Sequence, residues 1–149
     1  MENIKDIAIQ VIDTEANSIL GLKNLLTDNF AKVVELILKS KGNVVVSGIG
    51  KSANIAQKIV ATLNSTGTTA VFMHAADAIH GDLGIIRDDD IVIIISKSGE
   101  TPEIKVLTPL IKIRKNKLVA IVGNTKSYLA AEADYVLDTT VPHEACPNN

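Results

Sequence analysis

Tryptophan is absent from this sequence, cysteine occurs once, and aromatic residues make up only 3% of its 149 positions. Those shortages exclude several classes of protein. A lone Cys146 forms neither an intrachain disulfide framework nor a multi-cysteine zinc site, which points to a reducing, cytoplasmic setting. Fifteen basic residues stand against seventeen acidic ones without a basic cluster, so little is available to neutralise a nucleic-acid backbone and few rings to stack on bases. No apolar run approaches the ~18 residues a membrane span requires, and the N-terminus is polar and periodic instead of basic and then apolar. Neither nucleic acid nor membrane is an expected partner. What the chain does have is 46% hydrophobic residues, in a length suited to one domain with a substantial core.

The apolar residues change period along the chain. Ile4, Ile7, Ala8, Val11, Ile12, Ile19, Leu22, Leu25 and Leu26 recur at helical spacing, predicting a long amphipathic helix. A second helix is expected after Thr27 or Asp28 as N-cap, turning Phe30, Val33, Val34, Ile37 and Leu38 inward and ending at Gly42 in a left-handed cap. From residue 43 the pattern becomes short continuous apolar runs at 43–48, 69–73, 90–96, 117–123 and 135–138, suited to strands buried on both faces. Helical segments alternate with them, carrying Ile55, Ile59 and Leu63, then Ile104, Leu107 and Ile111, then Leu129 and Ala133. This alternation predicts an α/β fold with a parallel sheet covered by helices. No internal repeat, low-complexity tract or linker divides it. Residues 1–42 read as N-terminal helices belonging to the domain, and residues 43–149 as its α/β body.

Two of the strands run into polar loops. IVIIIS ends in SKSGET, where Ser96, Ser98 and Thr101 offer hydroxyls, Gly99 permits close backbone approach and Pro102 suits the first turn of a helix. The first strand ends in SGIGKS, where Gly48 and Gly50 allow a tight turn, Lys51 adds a cation and Ser52 opens a helix. In open parallel sheets, ligands bind beyond the carboxyl ends of the strands, facing the unpaired amides of the following helices. Either loop alone also reads as an ordinary Ser/Gly turn; two at strand ends favour an anion site. Neither has the Walker A spacing, so triphosphate hydrolysis is not expected.

SGIGKSANIAQKIVATLNSTGT, HAADAIHGDLG, ISKSGETPEI and the terminal EACPNN together resemble the sugar isomerase (SIS) domain family, and within it the arabinose-5-phosphate isomerase group, from about residue 43 to the end. The resemblance implies a flavodoxin-like three-layer α/β/α sandwich with a five-stranded parallel sheet. It implies a ribulose 5-phosphate to arabinose 5-phosphate isomerase at the head of 3-deoxy-D-manno-octulosonate (Kdo) biosynthesis, in the form without CBS domains and incomplete at its C-terminus. Family members continue past ACP into a further helix and a histidine-bearing loop, whereas this sequence stops at Asn149.

An aldose-ketose isomerisation through an enediol needs a base between C1 and C2, a proton carrier between the two oxygens, and a donor for the developing oxyanion. By the resemblance, Lys51, His80, Glu103 and Glu144 occupy the family's catalytic positions. Gly48, Gly50, Ser52, Gly67, Thr68, His74, Ser96, Ser98, Gly99 and Thr101 then bind substrate. From the residues alone, Glu103 reads equally as a carboxylate stabilising a helix N-terminus, and Glu144 as an exposed loop acid. Gly67 and Thr68 precede the second strand, at the wrong end of their own sheet, so a neighbouring subunit has to contribute them. A homodimer or homotetramer is therefore implied, and it also accounts for the long apolar face of the N-terminal helices. No cofactor or metal is required, although His74 and His80 are a possible inhibitory zinc pair. With no CBS domains, feedback by CMP-Kdo is expected at the sugar-phosphate site itself. The alternatives are a sugar-phosphate sensor without turnover, disfavoured because residues 1–42 contain no basic recognition helix, and an isomerase of another ketose phosphate.

Overall fold

The change of hydrophobic period at residue 43 marks the first strand of a sheet. In the computed structural model, which describes residues 3–146, helices α1 (Ile4–Gly21) and α2 (Asp28–Lys39) are joined by a 3-10 turn at Leu22–Asn24. They precede β1 (Val44–Gly48), α3 (Lys51–Ser65), β2 (Ala70–His74), α4 (Ala75–Ala78), β3 (Ile91–Ser96), α5 (Pro102–Arg114), β4 (Lys117–Val122), α6 (Tyr128–Glu132) and β5 (Tyr135–Asp138). All five strands are parallel, in the order β2-β1-β3-β4-β5. This is the doubly wound order in which the chain leaves β1 to one side and returns to its other side.

Each face of the sheet has its own core. On one, Val45, Met73, Val92, Ile94, Leu118, Ala120 and Val122 pack with Ile104, Leu107 and Ile111 of α5 and Leu129 of α6. On the other, Val44, Val46, Ala70, Ile91, Ile93, Ile95 and Val119 pack with Val33 of α2 and Ala56 of α3. The pleat sends alternate residues of each continuous apolar run to opposite helical layers, which is why the runs show no polar alternation.

The helices depart from expectation in detail. Of the α2 residues predicted to face inward, Val33 is buried and Ile37 packs at the margin of the core. Phe30, Val34 and Leu38 are exposed, as is Ile55 of α3. In α1 no residue is buried, and Ile4, Ile7, Ile12 and Ile19 lie open to solvent. Helical period identifies an apolar face but not what meets it. Thr27 caps α2 as predicted, its Oγ1 accepting from the Asn29 amide at 3.3 Å. At the other end α2 stops at Lys39 with extended Ser40 as C-cap, so Gly42 is no left-handed cap. Gly42 is instead wedged against loop 87–90, where a Cβ would lie 2.2 Å from the Asp89 carbonyl oxygen.

That loop is tied down by two buried side chains at the amino edge of the sheet. The Asp90 carboxylate accepts from the amides of Asn43 (2.7 Å) and Arg87 (2.8 Å). Asn116, only 5% exposed, donates through Nδ2 to the carbonyls of Arg87 (2.7 Å), Asp90 (2.9 Å) and Asp88 (3.3 Å). The starts of β1, β3 and β4 are thereby locked together, leaving the opposite, carboxyl edge for function.

Candidate active site

The strand order brings SGIGKS and SKSGET together. They follow β1 and β3, adjacent strands whose connections run in opposite directions, so a crevice opens between their carboxyl ends. There the structure has a cleft of about 420 Å³ lined by Ile49, Ser52, Ser96, Lys97, Ser98, Thr101, Gly123 and Asn124. The N-termini of α3 and α5 both open at it, since Ser52 lies in the first turn of α3 and Thr101 is the N-cap of α5. Pro102 at the first position of α5 has no amide to leave unpaired. Among the described residues, the amides of Ser98 and Thr101 donate to no protein acceptor. Two helix N-termini, four hydroxyls and a lysine around one crevice offer the donors and positive charge that suit an anion such as a phosphoryl group.

The hydroxyls do different work. Ser96, 4% exposed, turns its Oγ back to accept from the Gly99 amide at 3.1 Å and sits 3.5 Å from Thr101 Oγ1. It braces the loop. The Gly99 amide is consequently not available to a ligand, and Gly99 does not line the cleft. Its φ of +65° and its contact with α6 explain the residue: a Cβ there would lie 2.0 Å from Ser127 Oγ. Ser127 caps α6, and Leu129 donates its amide to the Gly99 carbonyl. Ser98 and Thr101 are thus the outward-facing groups. Glu100 is held on the outside of the turn by the Lys105 ammonium (2.6 Å) and the Tyr128 amide (2.6 Å), which together keep its carboxyl below the usual carboxylate range. At the other loop, Gly50 adopts φ +57° with open space around it, while Gly48 leaves room for the first turn of α3 against the end of β1.

Of the four expected catalytic residues, none lines the cleft. Lys51 is exposed at the start of α3, Glu103 is half-buried in the first turn of α5, and His80 is exposed in the turn after α4. Glu144, however, reaches back from the C-terminal segment to form an ion pair with Lys97, a cleft residue. His74 stands half-buried at the end of β2, its Nδ1 3.7 Å from Asp77 Oδ2 and without a hydrogen bond. Among the described residues no group of three or more His, Cys, Asp or Glu side chains is arranged to hold a metal ion. Gly67 and Thr68 lie at the amino edge, where they end α3: the Thr68 amide donates to the Leu63 carbonyl and the Gly67 amide to that of Asn64. That is the Schellman pattern, so the chain's own fold gives this segment a structural role.

Sequence reading missed Ile49, Lys97, Gly123 and Asn124 as cleft residues. Lys97 carried a signal, as the one cation inside the serine loop. Asn124 carried only its place after an apolar run, and only the strand order brings it next to SKSGET.

Residues 36–148 match the SIS domain family. Over 142 residues the chain is 46% identical to the arabinose 5-phosphate isomerase KdsD of Pseudomonas aeruginosa, covering 95% of this chain and 44% of that protein. Over 127 residues it is 48% identical to the arabinose 5-phosphate isomerase KpsF of Escherichia coli O6:H1, covering 85% of this chain and 39% of that one. The chain thus spans less than half the length of these curated relatives. Among solved structures, an E. coli CFT073 protein in complex with arabinose 5-phosphate superposes with a TM-score of 0.85 at 35% identity, over 98% of this chain and 79% of that one.

Proposed function

The chain belongs to the SIS domain family, and on that premise we propose that it is the isomerase domain of an arabinose-5-phosphate isomerase, interconverting D-ribulose 5-phosphate and D-arabinose 5-phosphate through an enediol. The observation that carries this reading is the single cleft in which Ser52, Ser98, Thr101 and Lys97 converge on two helix N-termini. Similarity to isomerases of that substrate and to a structure holding arabinose 5-phosphate supports the choice of sugar. The phosphoryl group sits on the Ser98 and Thr101 amides and hydroxyls. Lys51, His80, Glu103 and Glu144 act on C1 and C2, and since the cleft within one chain is not lined by them, the reacting carbons extend from it toward groups that a neighbouring subunit completes. A homo-oligomer fits the exposed apolar residues of α1 and the position of Gly67 and Thr68 at the far edge. No helix among the described residues is long and apolar enough to cross a membrane, in keeping with a cytoplasmic enzyme of the Kdo pathway.

The test is a coupled assay of the full chain with ribulose 5-phosphate, in which arabinose 5-phosphate is expected to accumulate to equilibrium. Stabilisation by the sugar phosphate without any conversion would assign the domain to sensing instead. Replacing Ser98 with alanine removes one hydrogen bond to a charged group, about 1.5–3 kcal/mol, so sugar-phosphate affinity measured by calorimetry is expected to fall about 10- to 150-fold. If CMP-Kdo is the feedback ligand, it uses the same anion receptor. It is then expected to raise the apparent KM for ribulose 5-phosphate at constant limiting rate, and a lowered limiting rate would place it elsewhere.

A further inference from the structure

Lys97, the second residue of SKSGET, is the lysine that lines the cleft, and the fold specifies its position. The Lys97 carbonyl accepts the Gly123 amide at 2.9 Å, and its stem lies across Gly123 so closely that a Cβ there would come within 3.2 Å of Lys97 Cγ. Main chain and stem are therefore both fixed by the loop after β4, and the ammonium is delivered to the rim of the cleft. Its partner is not a cleft group but Glu144, from the segment that follows β5 and runs back across the carboxyl edge. The cleft thus contains a cation already matched by a carboxylate from outside it.

We propose that Lys97 is the cation that selects a phosphoryl group in this cleft, and that Glu144 is its internal counter-ion, displaced when the phosphate binds. The assignment rests on the anion-receptor reading of the cleft given above. The exchange is favourable because the pair is exposed, with Lys97 65% and Glu144 42% open to solvent, and exposed ion pairs are individually weak. An incoming phosphate dianion carries more charge and three acceptor oxygens, and it meets the Ser98 and Thr101 amides as well. Displacement has a second effect: it releases the Glu144 carboxylate only when the phosphate is in place. The carboxylate expected at the reacting carbons is thereby coupled to occupancy of the phosphate site. A neutral sugar, which offers nothing to Lys97, leaves the pair intact.

Calorimetric titration of the full chain with inorganic phosphate, and separately with ribulose 5-phosphate, tests this. Lys97→Met is expected to weaken phosphate binding by about tenfold or more. Glu144→Gln removes the internal competitor and is expected to tighten it about two- to fivefold, even as isomerase turnover falls. The gain from Glu144→Gln is expected to vanish in the Lys97→Met background, and Lys97→Arg to restore binding. Circular dichroism verifies that each variant is folded, which the exposure of both side chains favours. Unchanged phosphate affinity in Lys97→Met, no gain in Glu144→Gln, or a gain that persists without Lys97 would overturn the assignment. Because inorganic phosphate is the probe, the pattern stands or falls separately from turnover: intact phosphate coupling with no isomerisation would sink the enzymatic reading and leave this one in place.

Discussion

Gly99→Ala is expected to lower the melting temperature by about 5–15 °C. Two costs add. The φ of +65° places alanine in the left-handed region, at about 1 kcal/mol or somewhat more. The added methyl also falls 2.0 Å from Ser127 Oγ and 2.5 Å from Ser127 Cβ, and Ser127 cannot swing away, being 1% exposed and engaged as the cap of α6. Overpacking of that kind costs about 1–3 kcal/mol. Gly67→Ala is the internal control: as the residue that ends α3 it also has a positive φ, +92°, but nothing lies within 4 Å of the built Cβ, so only the backbone cost applies. Thermal unfolding of the two variants side by side separates the contributions. Equal shifts would mean that the α6 cap yields freely and that space is not what requires Gly99. The loss also carries to binding, because Gly99 holds the turn from which Ser98 and Thr101 reach the cleft.

The second large effect is expected at the opposite edge, from the near-isosteric change Asn116→Asp. The Asn116 amide group donates to three carbonyl oxygens at 2.7–3.3 Å. A carboxylate in its place turns those attractions into repulsions, in a site that is 5% exposed and where the partners of the side-chain nitrogen are all carbonyl oxygens. Leaving an unpaired charge buried costs about 3–5 kcal/mol, a large part of the 5–15 kcal/mol that typically holds a domain together. The pH dependence has a definite sign. Burial and the carbonyls raise the folded-state pKa of the new acid above its unfolded value of about 3.9, so the destabilisation is complete above the folded-state pKa. It shrinks by about 1.4 kcal/mol per pH unit as pH falls toward the unfolded value. Denaturant midpoints of the variant and wild type should therefore converge toward acid. A gap that stays constant with pH would show that the carboxyl is not charged in the folded chain.

These two sites differ in how they appear in the sequence. All five strands were legible to within about a residue because a strand buried on both faces must be apolar throughout, and Val44–Gly48 and Ile91–Ser96 have nowhere polar to point. The hydroxyl loops were legible for the complementary reason, as abrupt polarity after such runs. Gly99 stands out in the sequence as a residue that permits close approach to a ligand, whereas only the packing of α6 shows that the glycine makes room for Ser127. Asn116 passed unnoticed: nothing local distinguishes it from a turn residue, and its three partners are 26 to 29 positions away. Lys97 and Asn124 likewise become neighbours only through the strand order. The apolar face of α1 illustrates the remaining limit, for periodicity records that a surface avoids water without recording which surface it meets.

The strand order also has a consequence for the nascent chain. β1 pairs with β2 on one side and β3 on the other, yet β2 is synthesised next and β3 only later. For a few seconds, at ~5–20 residues per second, the ribosome presents a two-stranded ribbon whose valine-rich β1 edge has open hydrogen-bonding groups and no mate. Such an edge is a template for any neighbouring strand, including that of another nascent copy. The SKSGET loop arrives with the strand that closes this edge, but β3 then presents an open edge of its own until β4 pairs with it, and β4 is also the strand that brings Gly123 and Asn124 to complete the cleft.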